Sequence, residues 1–229
     1  MDVHESSDLL AALKKLGYLH PLRDPLWWPH SGTFEVVVGA ILTQQSRWEK
    51  VEASLSALKR ADLLTLEALS SADIQHIALL IKPSGFYNTK AQRLISLSQN
   101  IRNDFGSFER FCQEVDREWL LSQKGIGMES ADSILCYACH RPVLVVDSYT
   151  QRLMDALGYT FESYMELQEW MEQGIEENFH KIGLLYGDGT DIATVYARFH
   201  GKIVEYAKRY IRGKEVDVAP LLNALEESI

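Results

Sequence analysis

The chain contains no apolar run approaching the roughly 18 residues that cross a bilayer as a helix. Its opening stretch, MDVHESSDLL, lacks the apolar segment of a signal peptide. Both absences predict a protein with no membrane partner and a cytoplasmic location. Cysteine is scarce: only Cys112, Cys136 and Cys139 occur. Three thiols cannot build a disulfide framework, and an odd count suits a reducing compartment. None follows Cys139. Cys136 and Cys139 have C-x-x-C spacing. They lie in an apolar helical pattern without further ligands at suitable spacing, and read as buried structural thiols rather than a metal site. Net positive charge is also absent, since the formal charge is −9. Taken alone this argues against nucleic acid, because phosphate contacts need local Lys or Arg. Alternation of the β type is missing beyond VLVV (143–146). No internal repeat occurs.

What is present is helical periodicity almost throughout, so the predicted class is all-α. Helices are expected over 6–19, 33–60 (interrupted near Gln44–Gln45–Ser46), two short segments in 62–80, 88–104, 107–121, 128–139, 148–158, 162–180, 190–211 and 216–227. The segment KIGLLYGDGT (181–190), with three glycines, reads as a loop. Pro21, Pro25 and Pro29 surround Trp27 and Trp28 in an extended loop. Those tryptophans either anchor the loop on the core or stack on a planar ligand. Charge is uneven: residues 196–214 carry Arg198, Lys202, Lys208, Arg209, Arg212 and Lys214 against Glu205 alone. A local patch of this kind decides binding more than the global balance does.

The most informative stretch is 120–147, LLSQKGIGMESADSILCYACHRPVLVVD. Gly125 and Gly127 flank Ile126 at the head of an apolar helix pattern. Such a turn lets a backbone approach closely and opens a helix whose first N–H groups face outward, which suits a phosphate. Asp147 follows Gly127 by 20 positions. It can cap the helix SYTQRLM, or supply a carboxylate to chemistry, or both. In the last long helix Val195, Phe199, Lys202 and Tyr206 share one face. A lysine in that stripe either snorkels outward or is held inward with a depressed pKa. His200 and Arg198 are expected on the opposite face, toward DNA or solvent.

Three stretches, LLSQKGIGMESADSIL, VVDSYTQRL and GFYNTKAQRL, resemble the hairpin, the acid segment and the G-x-Y-x-x-K-A helix start of the helix-hairpin-helix DNA glycosylases of the endonuclease III superfamily. The likeness covers residues 30–150. The Trp-Trp-Pro loop, PSGFYN and YARFHGK are most like the small 3-methyladenine DNA glycosylases that lack a metal cluster. The resemblance implies two helical domains. Residues 30–146 would form a barrel holding the hairpin, 1–29 with 147–229 the second domain, and DNA would cross a cleft between them.

By the same resemblance Asp147 is the catalytic acid, acting on the oxocarbenium-like C1′ or on the attacking water. The flipped base leaves a gap filled by Gln45, with Gln44 as second choice. Lys124, Gly125, Ile126, Gly127 and Ser130 grip the strand. Trp27, Trp28, Pro29 and Trp48 form an aromatic pocket for a cationic purine. Lys202 is expected near Asp147, as an ion pair or as a carbamylated lysine. Lys124 replaces the usual hairpin proline and Ser130 the usual threonine. Glu129 stands where strand-cutting members carry a nucleophilic lysine, and a carboxylate cannot form a Schiff base. The expectation is a monofunctional, monomeric, cofactor-free glycosylase without AP lyase activity, excising N3-alkylated adenine from double-stranded DNA. Another base specificity on this scaffold, such as an oxidised pyrimidine, a mismatch or another alkylated purine, and a non-catalytic helix-hairpin-helix binding module are the alternatives.

Overall fold

The computed structural model describes residues 3–19, 25–187, 189–213 and 215–226. Pro21 and Lys214, named above, lie outside them. Among the described residues the fold is all-α apart from one short two-stranded ribbon. The chain divides into two compact units, Met1–Trp28 with Pro142–Ile229, and Pro29–Arg141.

The chain starts in the first unit with α1 (Ser6–Lys15), closed at its N-terminus by a reciprocal box between Glu5 and Asp8. The second unit follows. Its helix α2 (Phe34–Leu42) is buried along nearly its whole length. The break at Gln44–Gln45 separates it from α3 (Trp48–Arg60). Next come α4 (Leu66–Ser70) and α5 (Ile74–Leu80), capped by the Thr65 and Asp73 side chains. A 3₁₀ turn, Lys82–Ser84, leads into α6 (Tyr87–Phe105). The single helix expected over 107–121 is two, α7 (Phe108–Glu114) and α8 (Arg117–Ser122), because the Asp116 side chain caps a new start at Trp119 N. The hairpin helix α9 (Met128–Ser133) passes at Ile134 into a π turn, Ile134–Ala138, rather than continuing as α-helix to 139. The Cys112 thiol donates to the Ala138 carbonyl at 3.5 Å.

The chain returns to the first unit after Arg141. Residues 142–146, assigned above to the barrel, pack here: Leu144 and Val146 are buried in one core with Leu9, Leu13, Leu153 and Phe199. Then follow α10 (Ser148–Ala156), α11 (Tyr164–Glu177) and α12 (Phe179–Tyr186). The expected loop over 181–190 is thus helical as far as Tyr186. Ile182 is drawn into the core, and Gly187 at φ +96° ends the turn. Helix α13 (Ile192–Tyr210) is the unit's central element, with twelve buried positions. Ile211–Arg212 pairs antiparallel with Glu215–Val216, and α14 (Ala219–Glu226) closes the fold.

Candidate active site and DNA-binding turn

In the first unit the site is built around the start of α10. Asp147 is its N-cap, and the two carboxylate oxygens have different duties. Oδ1 accepts from Tyr149 N at 3.0 Å, Thr150 N at 2.9 Å and Thr150 Oγ1 at 3.1 Å. Oδ2 faces Nε2 of His200 on α13 at 3.6 Å, with the two side chains 15% and 4% exposed. Capping and a chemical role are therefore compatible. Burial pushes the Asp147 carboxyl up. The neighbouring His200 imidazole, with the Thr150 N–H and hydroxyl, outweighs that and holds it below the usual carboxylate range.

His200 was expected to face DNA or solvent, and is instead buried against the acid. The reason is that α13 is surrounded on almost all sides, so an amphipathic reading of its faces does not apply.

Trp27 leans on the same turn of α13. Its ring meets His200 edge-on at 5.2 Å and 86°, and its indole N–H donates to Glu205 at 3.0 Å. Lys208 lies over the ring at 5.7 Å. A Cβ on Gly201 would stand 2.6 Å from Trp27 Cβ, so glycine is what lets the tryptophan sit there. Trp27 holds φ +76°, a strained value for a bulky residue. Trp28 packs edge-on against Trp27 and is 7% exposed, as an anchor of the loop. Pro29 is exposed, and Trp48, the first residue of α3 in the second unit, is half-buried.

Lys202 is not paired with Asp147. Its ammonium donates to the Tyr18 carbonyl. Burial, then Arg198 and Lys14, push it down to about 8. Lys14 and Arg198 stack on Tyr186, at 4.4 Å and 5.3 Å from the ring centre. The expectation of an inward lysine with a lowered pKa is met, while its place beside the acid is taken by His200.

The second unit carries the hairpin. Gly125 has φ +85°, Ile126 is buried beneath the turn, and Gly127 is the extended N-cap of α9. Lys124 and Glu129 are exposed. Gln44 braces the turn: its amide donates to Gly125 O at 2.9 Å and Ser130 Oγ at 3.0 Å, and its oxygen accepts from Arg93 at 2.8 Å. Gln44 is thereby withdrawn from the wedge role given to it as second choice. Gln45 is exposed and lies in the left-handed region at φ +52°. An open groove of about 460 Å³ beside it is lined by Gln45, Ser46, Arg47, Lys50, Ser84 and Gly85.

Several working residues escaped the sequence reading. Lys90 is buried and donates to Leu42 O at 2.8 Å and Ser84 O at 2.9 Å, tying together the two loops that frame the groove. Burial, then Arg93, push it down to about 8. Asp132, fully buried in α9, binds Arg117 of α8 through two oxygens. Ile81, at the end of α5, is buried, whereas Phe86, two residues beyond Ser84, is 66% exposed at φ +46°. Only the G-F-Y-N-T-K spacing around Lys90 and Phe86 hinted at any of these. Among the described residues no group of three or more His, Cys, Asp or Glu is arranged to hold a metal, and no helix is long and apolar enough to cross a membrane.

Comparison with known proteins fits this geometry. The family model described as "HhH-GPD superfamily base excision DNA repair protein" matches residues 38–177. A protein of Methanocaldococcus jannaschii, named provisionally as a DNA repair glycosylase, is 37% identical over 195 residues, covering 82% of each chain. The crystal structure of an H. pylori 3-methyladenine DNA glycosylase bound to 1,N6-ethenoadenine superposes with TM-score 0.87 at 47% identity, covering 91% of this chain and 99% of that one. A trapped endonuclease III–DNA complex shares the fold at TM-score 0.70 and 16% identity, over 99% of both chains.

Proposed function

Because this chain belongs to the HhH-GPD superfamily of base excision DNA repair proteins, we propose that it is a monofunctional DNA glycosylase whose preferred substrate is N3-alkylated adenine in duplex DNA. The observation that carries the reading is the divided carboxylate of Asp147. One oxygen is consumed by the helix cap. The other is held ionised in a largely dry setting, where a negative charge stabilises the positive charge that develops at C1′ as the glycosidic bond breaks. Water then adds to C1′, with the proton passing to the carboxylate or to solvent.

The base specificity is taken from the H. pylori enzyme, which is 47% identical and matches over 91% of this chain. Trp27, half-buried beside His200, would stack on a planar, electron-poor purine, and such stacking is worth about 0.5–2 kcal/mol per contact. Gln45 is the wedge: an exposed side chain on a strained backbone is set to enter the gap left by the extruded nucleotide. Lys124 and the outward N–H groups at the start of α9 hold the strand. Gln44 and Ser130 hold that turn in shape. Glu129 leaves no amine at the lyase position, so the product is an abasic site with an intact strand. Lys202 is the site of carbamylation. A lysine pushed down to about 8 presents neutral amine to carbon dioxide, and the resulting anion would lie among Arg198 and Lys14.

Duplex DNA treated with a methylating agent, incubated with the wild type and with Asp147→Asn, tests this. Release of 3-methyladenine by the wild type and not by the variant is expected. No released base, or equal release by both, rules out the enzymatic reading. Trapping with borohydride is expected to give no covalent complex, and a trapped complex would contradict the monofunctional assignment.

A further inference from the structure

We propose that His200 is the positioning residue of the excision site: its imidazole sets the free oxygen of Asp147 and backs the Trp27 ring, so one side chain holds both the acid and an aromatic wall. The proposal rests on the glycosylase reading above and goes beyond it.

Four observations support it. The first is the asymmetry of Asp147. All three hydrogen bonds from α10 fall on Oδ1, and His200 reaches across from α13 to Oδ2. A separation of 3.6 Å is longer than a tight N–H···O bond, which orients the oxygen and leaves it open to a reacting group. The second is burial. A histidine 4% exposed beside a carboxylate needs a reason to be there, and the acid supplies it. The third is the edge-on contact of His200 with Trp27, a geometry in which the positive ring edge meets the negative ring face. The fourth is local sequence. Gly201 makes room for Trp27 and Glu205 accepts its indole N–H, so one short segment of α13 holds that tryptophan from three sides while His200 alone also reaches the acid.

The groups acting on Asp147 are few. From α13 there is His200, and from α10 itself there are the Tyr149 and Thr150 N–H groups and the Thr150 hydroxyl. The other charged residues near Trp27, Glu205 and Lys208, engage the tryptophan. Removing His200 therefore leaves burial opposed only by the N-cap donors, and the carboxyl takes up a proton at higher pH.

The test is a pH profile of single-turnover base release from an alkylated duplex, for wild type, His200→Phe, His200→Gln and Asp147→Asn. Melting curves and gel-shift titrations run alongside. His200→Phe is expected to bind DNA as the wild type does, to lose about tenfold or more in rate at neutral pH, and to show its acid limb displaced to higher pH. His200→Gln, which keeps a donor for Oδ2 but not the imidazole, is expected to recover part of the rate with the acid limb still displaced. An unchanged rate and acid limb in His200→Phe overturn the proposal. If that variant does not fold, an unchanged acid limb in His200→Gln does so. A wild-type rate in Asp147→Asn would instead remove the excision reading itself, whatever the His200 variants do.

Discussion

The side-chain amide of Gln44 donates to the Gly125 carbonyl at 2.9 Å, tying the loop after α2 to the hairpin turn. Its neighbour Gln45 points outward. Adjacent glutamines of identical chemistry thus have different surroundings. Gln45→Ala is expected to lower base release with little change in melting temperature, since an exposed side chain contributes little to stability. Gln44→Ala leaves the Arg93 guanidinium and the Ser130 hydroxyl short of a partner. It is expected to destabilise the protein by about 1–3 kcal/mol and to weaken DNA binding through the turn. Melting and gel-shift titration of the two variants separate these outcomes, and equal effects on both properties would contradict the division of roles.

Asp147 contributes to stability apart from its proposed role in excision. Its folded carboxyl lies below the ordinary carboxylate range, so the stabilisation it contributes is complete above the unfolded pKa and is lost as pH falls through the folded one. Asp147→Ala removes the helix cap and is expected to lower stability by about 0.5–2 kcal/mol at neutral pH. That difference should shrink below the ordinary carboxylate range. Asp147→Asn keeps a side-chain oxygen for the cap and should recover most of the stability while excision stays lost. Urea titrations at neutral and acidic pH measure both.

Lys90 and Lys202 give the same sign in a higher pH window. Each is pushed down to about 8, while an unfolded lysine titrates near 10.5. Between those values the unfolded chain still holds a proton that the folded chain has released, so stability rises with pH from about 8 upward. Lys90→Met and Lys202→Met are each expected to flatten part of that rise. Lys90→Met should also loosen the groove beside Gln45, because the Leu42 and Ser84 carbonyls lose their shared donor. Melting temperatures at several values between pH 7 and pH 10 test this. A wild-type slope in both variants would refute it.

The pair Arg117–Asp132 holds the hairpin helix to the one before it. Asp132 is fully buried, so Arg117→Ala takes the guanidinium away from a carboxylate in the interior. The expected loss is about 3–5 kcal/mol, with impaired folding. Asp132→Asn should cost less, because the amide is neutral. Chemical denaturation of both variants provides the comparison, and a loss for Arg117→Ala no larger than that of a surface substitution would contradict it.

The features that the sequence determined by itself are those encoded at short range. The Gly125–Gly127 turn, the cap at Asp147, the break at Gln44–Gln45 and the helical class all follow from spacing within a few residues, since turn chemistry and capping are local. Tertiary structure decided everything that needed two distant segments in one place. His200 meets Asp147 across 53 positions and Lys202 reaches Tyr18 across 184. The sequence pattern put Lys202 on the inner face of the last helix and His200 on the outer. Both are buried, because α13 is packed on nearly all sides and has no outer face along most of its length. Which of the two approaches the acid was set by the way α10 docks on α13, and no period in the sequence records that.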